Sequence, residues 1–183
     1  MPQNSTLAVF EVEEKNGIMK TVYFVRHAKS SWDNMSIQDI DRPLNDRGMR
    51  DAPFMGLKLK EIDARIEKII SSPAKRAITT ATYFAAALSI APDKIIVESR
   101  LYEAMPEEVL KVISELSENY QTVAVFGHNP TFTFIANLFT EDYIDNIPTC
   151  GIFRVDANVN SWSQFGETTG RLTEFHFPKQ FFH

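Results

Sequence analysis

A single cysteine, Cys150, stands in the 183 residues, so no internal disulfide framework can hold the chain together. No Cys/His cluster with metal-ligand spacing accompanies it, and no metal is expected. Long apolar runs are missing as well. Leu7-Ala8-Val9-Phe10 is too short for a signal peptide or a membrane span, and no other segment could cross a bilayer. Basic charge is scarce: 19 Lys+Arg face 24 Asp+Glu, the formal net charge is −5, and no basic stripe offsets it. That balance argues against nucleic acid and anionic membranes as partners. Internal repeats and low-complexity tracts are also absent. These absences lead us to expect a cytoplasmic, cofactor-free protein.

What is present is a core. At 44% hydrophobic composition the chain reads as one globular domain of ordinary size. Apolar runs near 21–26, 67–71, 94–98 and 121–127 predict strands, and they alternate with helical patterns near 46–60, 73–88, 106–119 and 130–139. Such alternation predicts an α/β layered fold with a mostly parallel sheet. Ala77, Ile78, Ala81, Phe84, Ala85 and Leu88 mark one helix face, and Val109, Ile113, Leu116 and Tyr120 another; both stripes read as core. Asn45 is a good cap for the first helix, while Pro53 inside it should remove one backbone bond and bend it. Short strands around 151–156 and 171–177 should finish the sheet, with room for an antiparallel edge strand. Phe175, Phe177, Phe181 and Phe182 read as packing of the last strand and its tail. Residues 1–18 are expected to form an N-terminal extension, although Asn16-Gly17 is a hairpin signal, and 19–183 the single domain.

Three segments deliver polar residues where an apolar strand ends. The run Thr21-Val22-Tyr23-Phe24-Val25 leads to Arg26-His27, a cation beside a potential nucleophile. Ile69-Ile70-Ser71-Ser72-Pro73 leads to Arg76, with Ser72 as the expected N-cap and Pro73 as the first helical residue. Val123-Ala124-Val125-Phe126-Gly127 leads to His128-Asn129-Pro130, with Asn129 as the expected cap. Helix N-termini carry unpaired N–H groups and partial positive charge, so both openings favour an anion. In an open α/β sheet, ligands bind beyond the carboxyl ends of the strands, and one pocket can collect Arg26, His27, Arg76, Glu103 and His128.

These motifs, in this order, resemble the histidine phosphatase superfamily, and the resemblance runs from about residue 19 to the C-terminus. Arg26-His27-Ala28-Lys29-Ser30 and Gly127-His128-Asn129-Pro130 are most similar to its small SixA-type phosphohistidine phosphatases. The resemblance implies a three-layer α/β/α sandwich and a phosphatase in which His27 is the nucleophile. It sets Glu103 where many relatives carry the acid that protonates the leaving group, although Met105-Pro106-Glu107-Glu108 does not reproduce the longer pattern. Arg42, in Asp41-Arg42-Pro43-Leu44, matches the family's Arg-Pro-Leu stretch and is expected to reach the site or pair with Asp41. Ala28 departs from the glycine of many relatives and places a methyl near the expected phosphate.

The chemistry follows from the residue types. A neutral imidazole nitrogen of His27 attacks phosphorus in line and forms a phosphohistidine that water then hydrolyses. Arg26 and Arg76 offer forked donors, and His128 is expected as an imidazolium donor, a set suited to charge spread over the equatorial oxygens. Like-charge repulsion should hold the His27 pKa down. Lys29, Ser30, Arg42 and Asn129 are candidates for the pocket rim. A ring-protonated phosphohistidine expels neutral imidazole, whereas an alkyl phosphate must expel an alkoxide, so weak acid catalysis at Glu103 favours phosphohistidine on a protein as the substrate. The alternatives are a general or small-molecule phosphomonoesterase and, from a different class, a non-catalytic phosphate- or phosphoprotein-binding module. The expected partner is a phosphorylated protein or a small phosphate ester, met by a monomer.

Overall fold

Side chains alternate along a strand, and the run after Thr21 is apolar on both faces, so it needs a core on each side. A computed structural model, which describes residues 17–34 and 36–182, shows both cores. Val22 and Phe24 join one cluster with Val109, Ile113, Phe132 and Ile135, and Tyr23 and Val25 join another with Ala52, Met55, Ala81 and Phe84. The sheet therefore lies between two helical layers.

The strands are β1 (Ile18–Arg26), β2 (Lys68–Ser71), β3 (Ile95–Val97), β4 (Thr122–Gly127), β5 (Ile152–Val159) and β6 (Gly170–His176). The helices are α1 (Asp46–Glu61), α2 (Lys75–Ala87), α3 (Pro106–Ser114) and α4 (Thr131–Leu138). The sheet order is β3-β2-β4-β1-β5-β6. β1 pairs with β4, and β2 with β3 and β4, in parallel; β5 is antiparallel to both β1 and β6. The mostly parallel sheet is as expected, but its counter-running strand is interior, not at the edge. Register aligns Arg26 with Gly127 and Ser71 with Phe126, so the polar residues of three strands emerge at one end.

Helix α1 begins where expected, Asn45 accepting from the Gly48 amide at 3.0 Å, and it runs on through Pro53. Three helical expectations need correction. α2 begins at Lys75 with Ala74 as its cap, so Pro73 lies before the helix and Arg76 is its second residue. α4 begins at Thr131 with Pro130 in the cap position, so Asn129 lies before the cap and lends no side-chain bond. α3 stops at Ser114, well short of 119, because the Ser117 hydroxyl and carbonyl take the amides of Asn119 and Tyr120 into turns. Leu116 and Tyr120 nonetheless pack against the core from beyond the helix. Of the C-terminal phenylalanines, the Phe175 and Phe177 ring centroids lie 5.3 Å apart and that of Phe182 lies 4.5 Å from that of Phe54 of α1, while Phe181 and Phe182 remain exposed, so the tail packs only in part. Of the proposed extension, residues 1–16 lie outside the described residues, and Ile18 already belongs to β1.

Candidate active site

β1 ends under strong backbone restraint. The Arg26 amide donates to the Gly151 carbonyl at 2.9 Å and the His27 amide to the Gly127 carbonyl at 3.0 Å, while the Cys150 amide donates to the carbonyls of Arg26 and His27, each at 3.1 Å. Cys150 is buried and sits at φ 60°, a left-handed turn that returns the chain into β5. Gly127 is required by close approach, since a Cβ there would meet the Phe132 ring at 2.6 Å. His27 is thus fixed between two strands and is 8% exposed.

Its ring is oriented from behind. Nδ1 lies 2.7 Å from the Ala28 carbonyl oxygen, which can only accept, so Nδ1 carries the proton and Nε2 the lone pair. Burial pushes the His27 pKa down to about 3, with His128, Arg76 and Arg26 adding to the depression and the Ala28 hydrogen bond opposing it. Repulsion was the expected cause; burial is the larger one. Ala28 is compatible with this turn because its methyl lies in the core and its amide donates to Thr80 Oγ1 at 3.0 Å. Thr80 in turn donates to the Arg76 carbonyl at 2.7 Å, tying the turn after β1 to α2.

His128 stands with its ring centroid 5.1 Å from that of His27. Its Nε2 is 2.8 Å from Ser72 Oγ, so Ser72 serves a histidine in addition to its contact with the Ala74 amide at 3.3 Å. Burial, followed by the charge of Arg76, pushes the His128 pKa down to about 4. The expected imidazolium is therefore a neutral imidazole at pH 7 in the free protein.

The guanidiniums are held at their outer nitrogens. Arg26 donates through one Nη to the Ile147 carbonyl at 2.6 Å, and Arg76, 6% exposed, donates through its two Nη atoms to the backbone oxygen and the carboxylate of Asp39 at 2.6 and 2.8 Å. Among the described residues, four buried side-chain polar atoms lack a hydrogen-bond partner: Arg26 Nε, Arg76 Nε, His128 Nδ1 and Asn129 Oδ1. All four belong to this one site. Burying a polar atom unpaired costs about 1–3 kcal/mol, so a fold that concentrates three nitrogens and one acceptor, Asn129 Oδ1, here keeps polar groups free for a ligand that brings its own partners.

Beside this set lies a cavity of about 310 Å³ lined by Asp39, Arg76, Tyr102, Glu103, His128 and Asn129, with Leu101, Met105 and Phe132 as an apolar wall. Glu103 is exposed and adopts φ 54°, a left-handed backbone that side-chain-bearing residues seldom take. Asp39 accepts from Arg76 Nη, from Tyr102 Oη at 2.9 Å and from Arg42 Nε at 2.8 Å; despite the desolvation that acts against it, these bonds hold its pKa down to about 2.

Arg26, His27, Arg76, His128, Glu103 and Asn129 thus meet at one end of the sheet, as expected. The other rim candidates do not line the cavity, although Arg42 reaches its edge through Asp39. Ser30 is buried and accepts from Arg42 at 3.0 Å, while Arg42 pairs with Asp39 and not with Asp41. Lys29 contributes its backbone carbonyl, which accepts from the Asn45 amide. Asn129 donates to Asn146 Oδ1 and the Ile147 carbonyl, fastening the loop that also holds Arg26. Asp39 and Tyr102 were missed because they lie in aperiodic segments; only the three-residue spacing of Asp39 and Arg42 hinted at a pair. Among the described residues, no group of three His, Cys, Asp or Glu side chains is arranged to hold a metal ion.

A buried neutral imidazole at a strand end, beside two arginines and a second histidine on a three-layer α/β/α scaffold, matches the class that the sequence motifs resemble. The chain belongs to the histidine phosphatase superfamily (branch 1), whose sequence model matches residues 22–109. An uncharacterized protein of Mycobacterium leprae is 31% identical over 167 residues, spanning 85% of this chain and all of that protein. Among solved structures, one assigned to phosphohistidine phosphatase SixA of Agrobacterium tumefaciens is 28% identical, with a TM-score of 0.72 over 87% of this chain and 98% of that one. The protein histidine phosphatase SixA complexed with tungstate shares the fold at 23% identity, with a TM-score of 0.73 over 87% of this chain and 98% of that one.

Proposed function

We propose that this phosphatase hydrolyses phosphohistidine on a protein, through a covalent phosphohistidine formed on His27 Nε2. The observation that carries the reading is the Nδ1 contact to Ala28, which leaves a lone pair on a neutral ring among unpaired cationic donors. Nε2 attacks phosphorus, and the P–N bond to the substrate ring breaks. A ring already protonated at its other nitrogen departs as neutral imidazole, so no acid has to act. The His27 ring carries positive charge while Nε2 holds phosphorus, and the Ala28 carbonyl stabilises it through the Nδ1 proton. Water then attacks phosphorus, the P–Nε2 bond breaks, and phosphate leaves.

Arg26 and Arg76 bind the equatorial oxygens through the Nε–H groups that lack partners. His128 adds its Nδ1–H once Ser72 donates to Nε2. Substrate preference follows from the acids at hand. Asp39 is held ionised by three hydrogen bonds, and Glu103 stands exposed, so neither is a buried acid ready to protonate an alkoxide. Charge neutralisation by arginines needs no metal, and a chelator should leave the rate unchanged. We place the protein in the cytoplasm as a monomer, acting on a phosphorylated signalling protein.

One observation favours a phosphomonoesterase instead: the left-handed backbone of Glu103 beside the cavity is the kind of strain that active sites retain. A metal-free assay of wild type and Glu103→Gln on a phosphohistidine protein, an aryl phosphate and an alkyl phosphate separates the two. The variant should lose little on the first two and sharply on the third. A wild type that prefers alkyl phosphates, with a ~10²-fold or larger loss in Glu103→Gln, supports the phosphomonoesterase.

A further inference from the structure

We propose that Asp39 is the positioning residue of the phosphoryl clamp: it grips Arg76 from outside so that only the Nε edge of the guanidinium faces the reaction. The proposal rests on the reading of Arg76 as a phosphate ligand, and it assigns a task to a residue that the motifs do not contain.

The geometry separates the two edges of one guanidinium. Both terminal nitrogens of Arg76 are taken by a single residue, one by the Asp39 backbone oxygen at 2.6 Å and the other by its carboxylate at 2.8 Å. Nε is buried and unpaired. Arginine side chains lose much freedom when ordered, and a guanidinium tied at two nitrogens loses it before substrate arrives. Misplacing such a donor by a fraction of an ångström lowers the transition-state stabilisation it gives, while ground-state binding, spread over several donors, suffers less.

Asp39 is itself immobilised. Its other carboxylate oxygen accepts from Arg42 Nε at 2.8 Å, and Tyr102 Oη donates to the oxygen that holds Arg76. Arg42 is braced by Ser30 Oγ at 3.0 Å and by the Trp32 ring, whose centroid lies 3.6 Å from the guanidinium carbon. Asp39 begins a short 3-10 turn, Asp39–Asp41, and the Asp41 carboxylate forms no ion pair within the described residues, so the two acids of this turn are not equivalent. A chain of contacts thus runs from Trp32 through Arg42 and Asp39 to Arg76. An acid beside a phosphate-binding arginine would otherwise repel the substrate. Here two guanidiniums and a phenol saturate it, so its cost is small and its hold is kept.

A double-mutant cycle on the intact chain tests the proposal, with turnover of an aryl phosphate or phosphohistidine protein as the readout. Asp39→Ala should lower kcat about 10-fold with a smaller change in KM, and in an Arg76→Ala background the same substitution should change kcat less than about 2-fold. Asp39→Asn, which keeps an oxygen for Arg76, should recover part of the loss and serves if the alanine variant does not fold. Equal losses in both backgrounds, or an unchanged kcat in Asp39→Asn and Asp39→Ala alike, would overturn the positioning role while leaving the clamp intact. An Arg76→Ala enzyme that keeps wild-type kcat would overturn the clamp itself, and the positioning role with it.

Discussion

The two ends of β1 both shield cationic nitrogens from water, and they treat them in opposite ways. At the start of the strand, Lys20 is 1% exposed and its ammonium finds three acceptors: the Tyr120 carbonyl at 2.8 Å, the Glu118 carbonyl at 3.3 Å and the Glu118 carboxylate at 3.0 Å. Trp162 covers it at 5.0 Å and shares the same partners through its own N–H groups. At the other end, Arg26 and Arg76 each keep a buried Nε without a partner, beside an equally unpaired His128 nitrogen. One strand therefore carries a finished polar cluster and an unfinished one. Because the same sheet satisfies Lys20, the deficit at Arg26 supports the proposal that this end of the strand binds a ligand.

The comparison breaks most visibly under substitution. Arg76→Ala should cut kcat by roughly 10²–10³, the scale of losing one transition-state donor, with little effect on the midpoint of urea unfolding. Lys20→Met should do the reverse, costing about 1–3 kcal/mol of stability by stripping the carbonyls of their donor while leaving kcat within about 2-fold. Equal losses of rate and stability in Arg76→Ala would make that arginine structural, and the contrast between the ends would disappear.

A smaller effect separates the ends by pH. The pKa values of His27 and His128 fall from 6.5 to about 3 and about 4 on folding, chiefly through burial. Above pH 6.5 both histidines are neutral in either state, and their contribution to stability is flat. Below it the unfolded chain takes up protons that the folded site refuses, so stability declines as pH falls, approaching about 1.4 kcal/mol per unit for each histidine until the folded values are reached. Urea midpoints measured from pH 7 to pH 5 should show this decline, and His27→Asn should make it shallower. Lys20→Met should keep the wild-type slope, because its end of the strand holds no histidine. A slope unchanged by His27→Asn would mean that His27 titrates normally.

Much of this was legible in the chain because the signals were periodic or adjacent. The apolar run into Arg26-His27, the helix stripe from Ala77 to Leu88 and the cap at Asn45 are local, and each has the form its residues imply. The gathering of Arg26, Arg76 and His128 was legible because parallel strands end together. Contacts with no local pattern were not: Ser72 bonds a histidine 56 residues away, and Tyr102 bonds Asp39 across 63. The charge of His128 was misread for a related reason, since burial depends on what the rest of the fold stacks around a ring.

The central claim is that His27 Nε2 takes the phosphoryl group, and rapid quenching of wild type with labelled substrate tests it most directly. The account predicts trapped label that is acid-labile and alkali-stable, localised to His27, and absent from a His27→Ala variant that has lost turnover. Sustained turnover by His27→Ala, or label that resists acid and sits elsewhere, would contradict it.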